Sequence, residues 1–186
     1  MPFSAITLLD HLDVSSGDWI IQNAANGAVG RMLSRLAAAR GINCVSLVRR
    51  ADGVAELDAA GIANAVATSD DGWQERVREI TGGAGVSVVY DSVGKDTFMA
   101  SLDSLKRRGL LVCVGTASGK IPPFDPAILA RKGSLYLTRP ALADYIADPA
   151  EKQALLAELF DHVQSGRIRI EIRKRYALEE AQQAHR

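Results

Sequence analysis

With 186 residues, the chain suits one α/β domain or slightly more, which is long enough for a sizeable core. Lys and Arg together number 22, as do Asp and Glu, so no net charge draws the chain toward nucleic acid or a membrane surface. No stretch approaches the ~20 apolar residues that span a bilayer. The short apolar run after Met1 lacks a basic lead-in and is broken by Asp10, His11 and Asp13, which argues against a signal sequence and for a cytoplasmic protein.

In chain order, Ser4 is placed to cap a short helix carrying Ile6, Leu8, Leu9 and Leu12. The turn Ser15-Ser16-Gly17-Asp18 leads into a strand from Trp19 to Asn23. An Ala-rich helical pattern runs from Ala28 to Arg40 and stops at Gly41. Val45 to Val48 reads as a buried strand, Asp52 to Ala60 as a helix ended by Gly61, and Ala65 to Ala67 as a short third strand. Asp71 to Thr81 is helical and is punctuated by Gly82-Gly83.

Val86 to Asp91 forms a fourth strand running into the loop Ser92-Val93-Gly94. A helix with Phe98, Leu102 and Leu105 on one face follows, then the most apolar strand, Gly109 to Gly115. The loop Thr116 to Gly119 and the prolines at 122, 123 and 126 lead to a helical turn. Ser134 to Arg139 is a sixth strand closed by Pro140, and Pro149 opens a long helix reaching about Ser165, with Gly166 after it. The alternation Ile168-Arg169-Ile170-Glu171-Ile172 predicts a half-exposed strand outside the main sheet. Six strands alternating with helices over short connections predict a doubly wound parallel six-stranded sheet, a Rossmann fold, with helices on both faces. Its ligand belongs beyond the carboxyl ends of the strands.

The first strand feeds the turn Asn23-Ala24-Ala25-Asn26-Gly27-Ala28-Val29-Gly30, which places Ala25, Gly27 and Gly30 at the three small positions of a dinucleotide-binding turn. Ala25 lets the chain leave the strand sharply, Gly27 lets the backbone approach a pyrophosphate, and Gly30 lets the helix pack tightly. The free N–H groups and positive dipole end of that helix would face the phosphates. An ordinary strand-to-helix turn of small residues is the plainer alternative. The second strand ends in Val48-Arg49-Arg50 with no carboxylate at its tip. Guanidinium groups there can pair a 2′-phosphate, whereas a carboxylate would repel it, so Arg49 and Arg50 predict NADPH rather than NADH. The alternatives are two solvated arginines, or Asp52 turning onto a ribose.

Other residues carry weaker signals. Cys44 and Cys113 lie in apolar runs and read as buried free thiols, and no cysteine or histidine spacing suggests a metal. His11, His162 and His185 are far apart in sequence and read as solvated helix histidines. Asp91 ends a strand and is better suited to ordering the next loop than to acting as a base. Tyr136 and Tyr145 fit dimer-interface or core packing better than proton donation. The run Arg167, Arg169, Arg173, Lys174 and Arg175, interspersed with Glu171, reads as a solvated face rather than a nucleic-acid surface.

With these residues in place, the sequence resembles the medium-chain dehydrogenase/reductase superfamily, in its zinc-free branch of quinone oxidoreductases (zeta-crystallin-like) and 2-enoyl thioester reductases. Gly17-Asp18-Trp19 through Gly30 is similar to the enoyl thioester reductase version of the turn. Three later blocks look closer to quinone oxidoreductase: Val89-Tyr90-Asp91-Ser92-Val93-Gly94, Leu105-Lys106-Arg107-Arg108-Gly109 and Lys132 to Pro140. The resemblance implies a pyrophosphate turn lined by Asn26, Gly27, Ala28 and Val29. It also implies an adenosine side at Ser92 and Val93, a nicotinamide ribose near Val114, Gly115 and Thr116, and a carboxamide held by backbone of Leu137 and Thr138. It further implies a homodimer joined through the sixth strand, and a small-molecule substrate that is a quinone or enone. Family members carry a GroES-like catalytic domain before the helix that opens this chain, and a strand returning to it. The expectation is therefore a cofactor half with little or no turnover by itself. The rival expectations are the same domain of an enoyl thioester reductase, or a non-catalytic nucleotide-binding or interaction module.

Overall fold

The structure is a computed structural model that describes residues 2–10, 14–170 and 174–185. Helix α1 (Pro2–Asp10) precedes the first strand, β1 (Trp19–Gln22). Next come α2 (Ala28–Ala39), β2 (Asn43–Val48), α3 (Ala51–Ala59), β3 (Ala65–Ala67), α4 (Trp73–Thr81) and β4 (Val86–Asp91). The second half holds α5 (Phe98–Asp103), β5 (Leu105–Cys113), α6 (Ala127–Arg131), β6 (Tyr136–Thr138), α7 (Leu142–Tyr145) and α8 (Pro149–Gln164). A 3₁₀ turn (Leu178–Glu180) and α9 (Ala181–Ala184) follow.

The six strands form one sheet in the order β3-β2-β1-β4-β5-β6, and every pairing is parallel. This is the doubly wound Rossmann arrangement expected from the sequence. The direction of winding reverses between β1 and β4, and the loops at their carboxyl ends diverge there to leave a crevice. On one face, Ile6 and Leu9 of α1, Leu33 and Leu36 of α2, and Leu155 and Leu159 of α8 pack on Ile20, Val88, Tyr90 and Val112. On the other, Val77 of α4 and Phe98 and Leu102 of α5 pack on Ile21, Val45, Val89 and Leu111. Each fully buried Leu, Ile or Val contributes roughly 1.5–3 kcal/mol, so both faces are needed to hold the sheet flat between helices.

Several helix ends follow directly from sequence. At the end of α2, Gly41 adopts φ +71°, which allows Gly41 N–H to donate to Ala38 O at 3.0 Å and Ile42 N–H to Ala37 O at 2.9 Å. The same double closure recurs after α3, around Gly61. At α8, the Asp148 carboxylate accepts from Ala150 N–H at 2.7 Å, and Pro149 occupies the first turn.

Some expectations are corrected. Ser4 lies inside α1 rather than capping it, because the helix already begins at Pro2; Leu12 falls outside the described residues. Leu105 is not on a helix face but opens β5, opposite Val86. It still joins the same core as Leu102, which is why its apolar spacing imitated a helix. The sixth strand is shorter than expected, Tyr136–Thr138, with Ser134 bent to φ +58°. Ile168, Arg169 and Ile170 form no strand; Glu171 and Ile172 lie outside the described residues. Cys44 and Cys113 are buried free thiols, and burial pushes the Cys44 thiol up to about 11. Among the described residues, no helix is long and apolar enough to cross a membrane.

Candidate functional site

The crevice between β1 and β4 is built around the glycine turn. Ala24 is held at φ +52°, and Ala25, fully buried, donates its N–H to Leu47 O at 3.0 Å, anchoring the turn to β2. Gly27 is the N-cap of α2 in an extended conformation. Asn26, Gly27 and Ala28 are exposed and Val29 is half-buried, so the first-turn N–H groups of α2, which have no intrahelical acceptor, open toward solvent at the crevice. Gly30 is buried, and a Cβ there would lie 2.7 Å from Ala25 Cα and 2.8 Å from Ala25 O. Close packing of helix on turn thus depends on its missing side chain. Arg31 clamps the turn from outside: its Nε donates to Asn26 O at 3.0 Å and its guanidinium lies 2.5 Å from Glu56 of α3.

Beneath the turn lies a polar network that sequence reading missed. Gln22 is 2% exposed, and its side-chain amide donates to Gly30 O at 2.8 Å and to the Ser34 hydroxyl. The Ser34 and Ser46 hydroxyls stand 3.0 Å apart. The available signal was a glutamine ending an otherwise apolar strand, a position at which a side chain must find partners inside the fold.

The loop after β4 is ordered by Asp91, which is 1% exposed. Its carboxylate accepts from the N–H groups of Val93 and Gly94, both at 2.9 Å, and from the hydroxyls of Thr97 and Ser101, both at 2.8 Å. With these donors around it, Asp91 organises the loop, as the sequence suggested, and does not face the crevice as a base. The half-buried Ser92 and Val93 are tied inward: the Ser92 N–H donates to Asn23 Oδ1 at 2.7 Å and its hydroxyl to Asn23 O at 3.1 Å.

The loop after β5 docks on this one. Val114 and Gly115 donate to Asp91 O at 2.7 and 3.1 Å, and Ser118 N–H donates to Val93 O at 2.8 Å. A Cβ on Gly115 would stand 2.6 Å from Ser92 O, so the two loops meet backbone to backbone. Thr116 remains exposed beside them. Leu137 and Thr138 extend the same row across the sheet, paired with Leu111 and Val112 of β5. The loops after β1, β4 and β5 are thus laced to one another at the strands' carboxyl ends, while Leu137 and Thr138 lie within β6.

Arg49 and Arg50 stand exposed at the tip of β2. Arg50 lies 3.2 Å from Asp52, with both side chains 69% exposed, a loose pair that water screens. Asp52 also accepts from Gly53 N–H at 2.9 Å, so it is engaged within α3. Among the histidines, His162 departs from expectation: it is 5% exposed, not solvated, with Nε2 3.2 Å from Glu158 Oε1. Arg40 donates to that same carboxylate oxygen at 2.7 Å. Tyr136 is 60% exposed on β6, so it does not pack in the core. Among the described residues no group of three or more His, Cys, Asp or Glu is placed to hold a metal ion.

Comparison with known proteins agrees with this fold. A family model described as zinc-binding dehydrogenase matches residues 61–186. A quinone oxidoreductase of Pseudomonas aeruginosa is 41% identical over 173 residues, covering 93% of this chain and 53% of its own length. A 2-haloacrylate reductase of a Burkholderia species is 38% identical over 177 residues, covering 93% of this chain and 52% of its own. The crystal structure of Escherichia coli quinone oxidoreductase complexed with NADPH superposes with a TM-score of 0.90 at 37% identity, covering 99% of this chain and 57% of that one. The chain spans about half the length of the curated relatives it matches. It belongs to the zinc-binding dehydrogenase family, within the medium-chain dehydrogenases/reductases that include the quinone oxidoreductases.

Proposed function

We propose that this chain binds NADPH and forms the cofactor half of an oxidoreductase that delivers hydride to a quinone or an activated alkene. The observation that carries the reading is the exposed N-terminus of α2, set at the switch point between β1 and β4, with the Gly27 backbone open to the crevice. Helix N–H groups and dipole there suit a pyrophosphate. Arg49 and Arg50, exposed at the tip of β2 with only the loose Asp52 pair on Arg50, suit a 2′-phosphate. The nicotinamide group supplies a hydride when bound. The chain's own part is to hold the phosphates on α2 and the adenosine side against Ser92 and Val93. The nicotinamide side is held along Val114, Gly115, Thr116, Leu137 and Thr138, where water must be excluded for transfer.

The names of two relatives, quinone oxidoreductase and 2-haloacrylate reductase, support an acceptor with an electron-poor carbon–carbon or quinone system. We further propose a homodimer through the open edge of β6, whose outer backbone groups have no strand beside them in the sheet, and a cytoplasmic setting that keeps both thiols reduced. The test is calorimetric titration of these 186 residues with NADPH and NADH, with NADPH-dependent quinone reduction assayed on the same sample. Tighter binding of NADPH with little turnover is the expected result. Failure to bind either nucleotide would remove the proposal and leave a structural glycine turn in an interaction module, and rapid turnover would sink the idea of a cofactor half inactive alone.

A further inference from the structure

The block Lys106-Arg107-Arg108-Gly109 has no part in the nucleotide crevice. It lies at the amino end of β5, where the register jumps from Val86 opposite Leu105 to Val88 opposite Leu110. The extra residues bulge outward and line a cleft of about 640 Å³ over β4, β5 and β6, together with Ser87, Val88, Leu110, Tyr136, Leu137 and Thr138. Leu110 and Tyr136 are paired in register across β5 and β6, so their side chains share one face and form an apolar and aromatic floor beside the buried Val88.

Charge and strain mark one end of this cleft. Lys106, Arg107 and Arg108 are all exposed, and no acidic residue lines the cleft. Lys106 is partly offset by Asp18, 3.6 Å away, and the Ser87 hydroxyl donates to that same carboxylate at 3.1 Å. Among the described residues, no carboxylate lies within ion-pair distance of Arg107 or Arg108. Arg108 is also held at φ +59°, a conformation that side-chain-bearing residues rarely adopt, with its N–H donating to Gly133 O at 2.8 Å. Strain retained on a cation at the mouth of a cleft is a reason to ask what the cation meets there.

We propose that this cleft is a second binding site, centred on the amino end of β5 and meeting the nicotinamide side only at Leu137 and Thr138, for a small organic anion with an aromatic or short alkyl body. Arg107 and Arg108 present planar donor forks that suit a carboxylate, sulfonate or phosphate. The body of the ligand lies over the half-buried Leu110, against the Tyr136 ring. The site lies on the face of the sheet, whereas β6 offers its unpaired backbone groups sideways, so strand pairing with a second copy does not compete for it.

The test is a fluorescence titration of the 186-residue chain with anilinonaphthalene sulfonate, an aromatic anion, in saturating NADPH and at low and high salt. Binding should persist with NADPH present and weaken with salt. Arg107→Gln should lower affinity about tenfold, the loss of one charge-assisted contact. Arg108→Gly should lower affinity similarly while raising Tm by about 2–4 °C, because glycine tolerates the positive φ. A variant that is more stable yet binds less cannot be explained by damage to the fold. Displacement of the dye by NADPH, or unchanged affinity in both arginine variants, would overturn the proposal. So would dye binding abolished by self-association in sedimentation analysis, which would give the cleft to a second copy.

Discussion

A Cβ on Gly30 would stand 2.7 Å from the Cα of Ala25, with backbone as the obstacle. Gly27 differs: the nearest atom to its Cβ position is Ala24 O at 3.2 Å, and its φ of −73° is open to any residue. The two glycines of one turn therefore have separable roles. Gly30→Ala should destabilise the fold by about 1–3 kcal/mol, since backbone must shift to admit a methyl group. Gly27→Ala should cost less, about 0.5–1 kcal/mol, from the poorer N-cap and the approach to Ala24 O, yet weaken NADPH about tenfold by covering the open backbone. Chemical denaturation and calorimetric titration of both variants check this. Equal effects on stability would show that the turn acts as one steric unit.

Replacement of Arg49 and Arg50 by Gln tests nucleotide choice. Each charge-assisted contact with a 2′-phosphate is worth about 1.5–3 kcal/mol, so the double variant should lose NADPH affinity by about a hundredfold or more while NADH affinity stays the same. Titration with both nucleotides at fixed salt gives the ratio. A parallel loss of NADH binding would place the arginines elsewhere than at the 2′-position.

Gln22 supports the turn from below, and its removal leaves both a cavity and the hydroxyls of Ser34 and Ser46 short of a partner. Gln22→Ala should cost about 2–4 kcal/mol. In a cycle with Ser34→Ala, the two losses should fall short of additivity by roughly 0.5–3 kcal/mol, since both break one network. Strict additivity would mean that the network does not act as a unit.

Glu158 joins α8 to the end of α2. Burial alone would raise its carboxyl, but the hydrogen bond and charge of Arg40, helped by His162, outweigh it and hold the group below the usual carboxylate range. A folded-state value below the unfolded one, near 4.3, means that the stabilisation is present above that pH. It is lost as pH falls through the folded value. The carboxylate is about a third exposed, so the effect is modest, on the order of 0.5 kcal/mol. The stability difference between the wild type and Glu158→Gln should be visible at pH 7 and shrink as pH falls below the ordinary carboxylate range. Denaturation curves across that range decide it, and a constant difference would assign the loss to packing.

The order of elements, the alternation of strand and helix and the place of the turn are legible in the residues alone. These follow from short-range causes: apolar runs such as Val86 to Tyr90, the glycine after α2, and the small residues from Ala24 to Gly30. Tertiary structure alone decided what the polar side chains do. Leu105 moved from a predicted helix face into β5 because Val86 offered a parallel partner. His162 was buried because Glu158 and Arg40 converge beside it. Gln22 reaches Ser34 and Ser46, and Asn23 reaches Ser92, across separations of 12, 24 and 69 residues. Local propensity does not encode such distances. A buried donor or acceptor takes whichever partner the packed sheet brings within about 3 Å, and that is set only once the strands are in register.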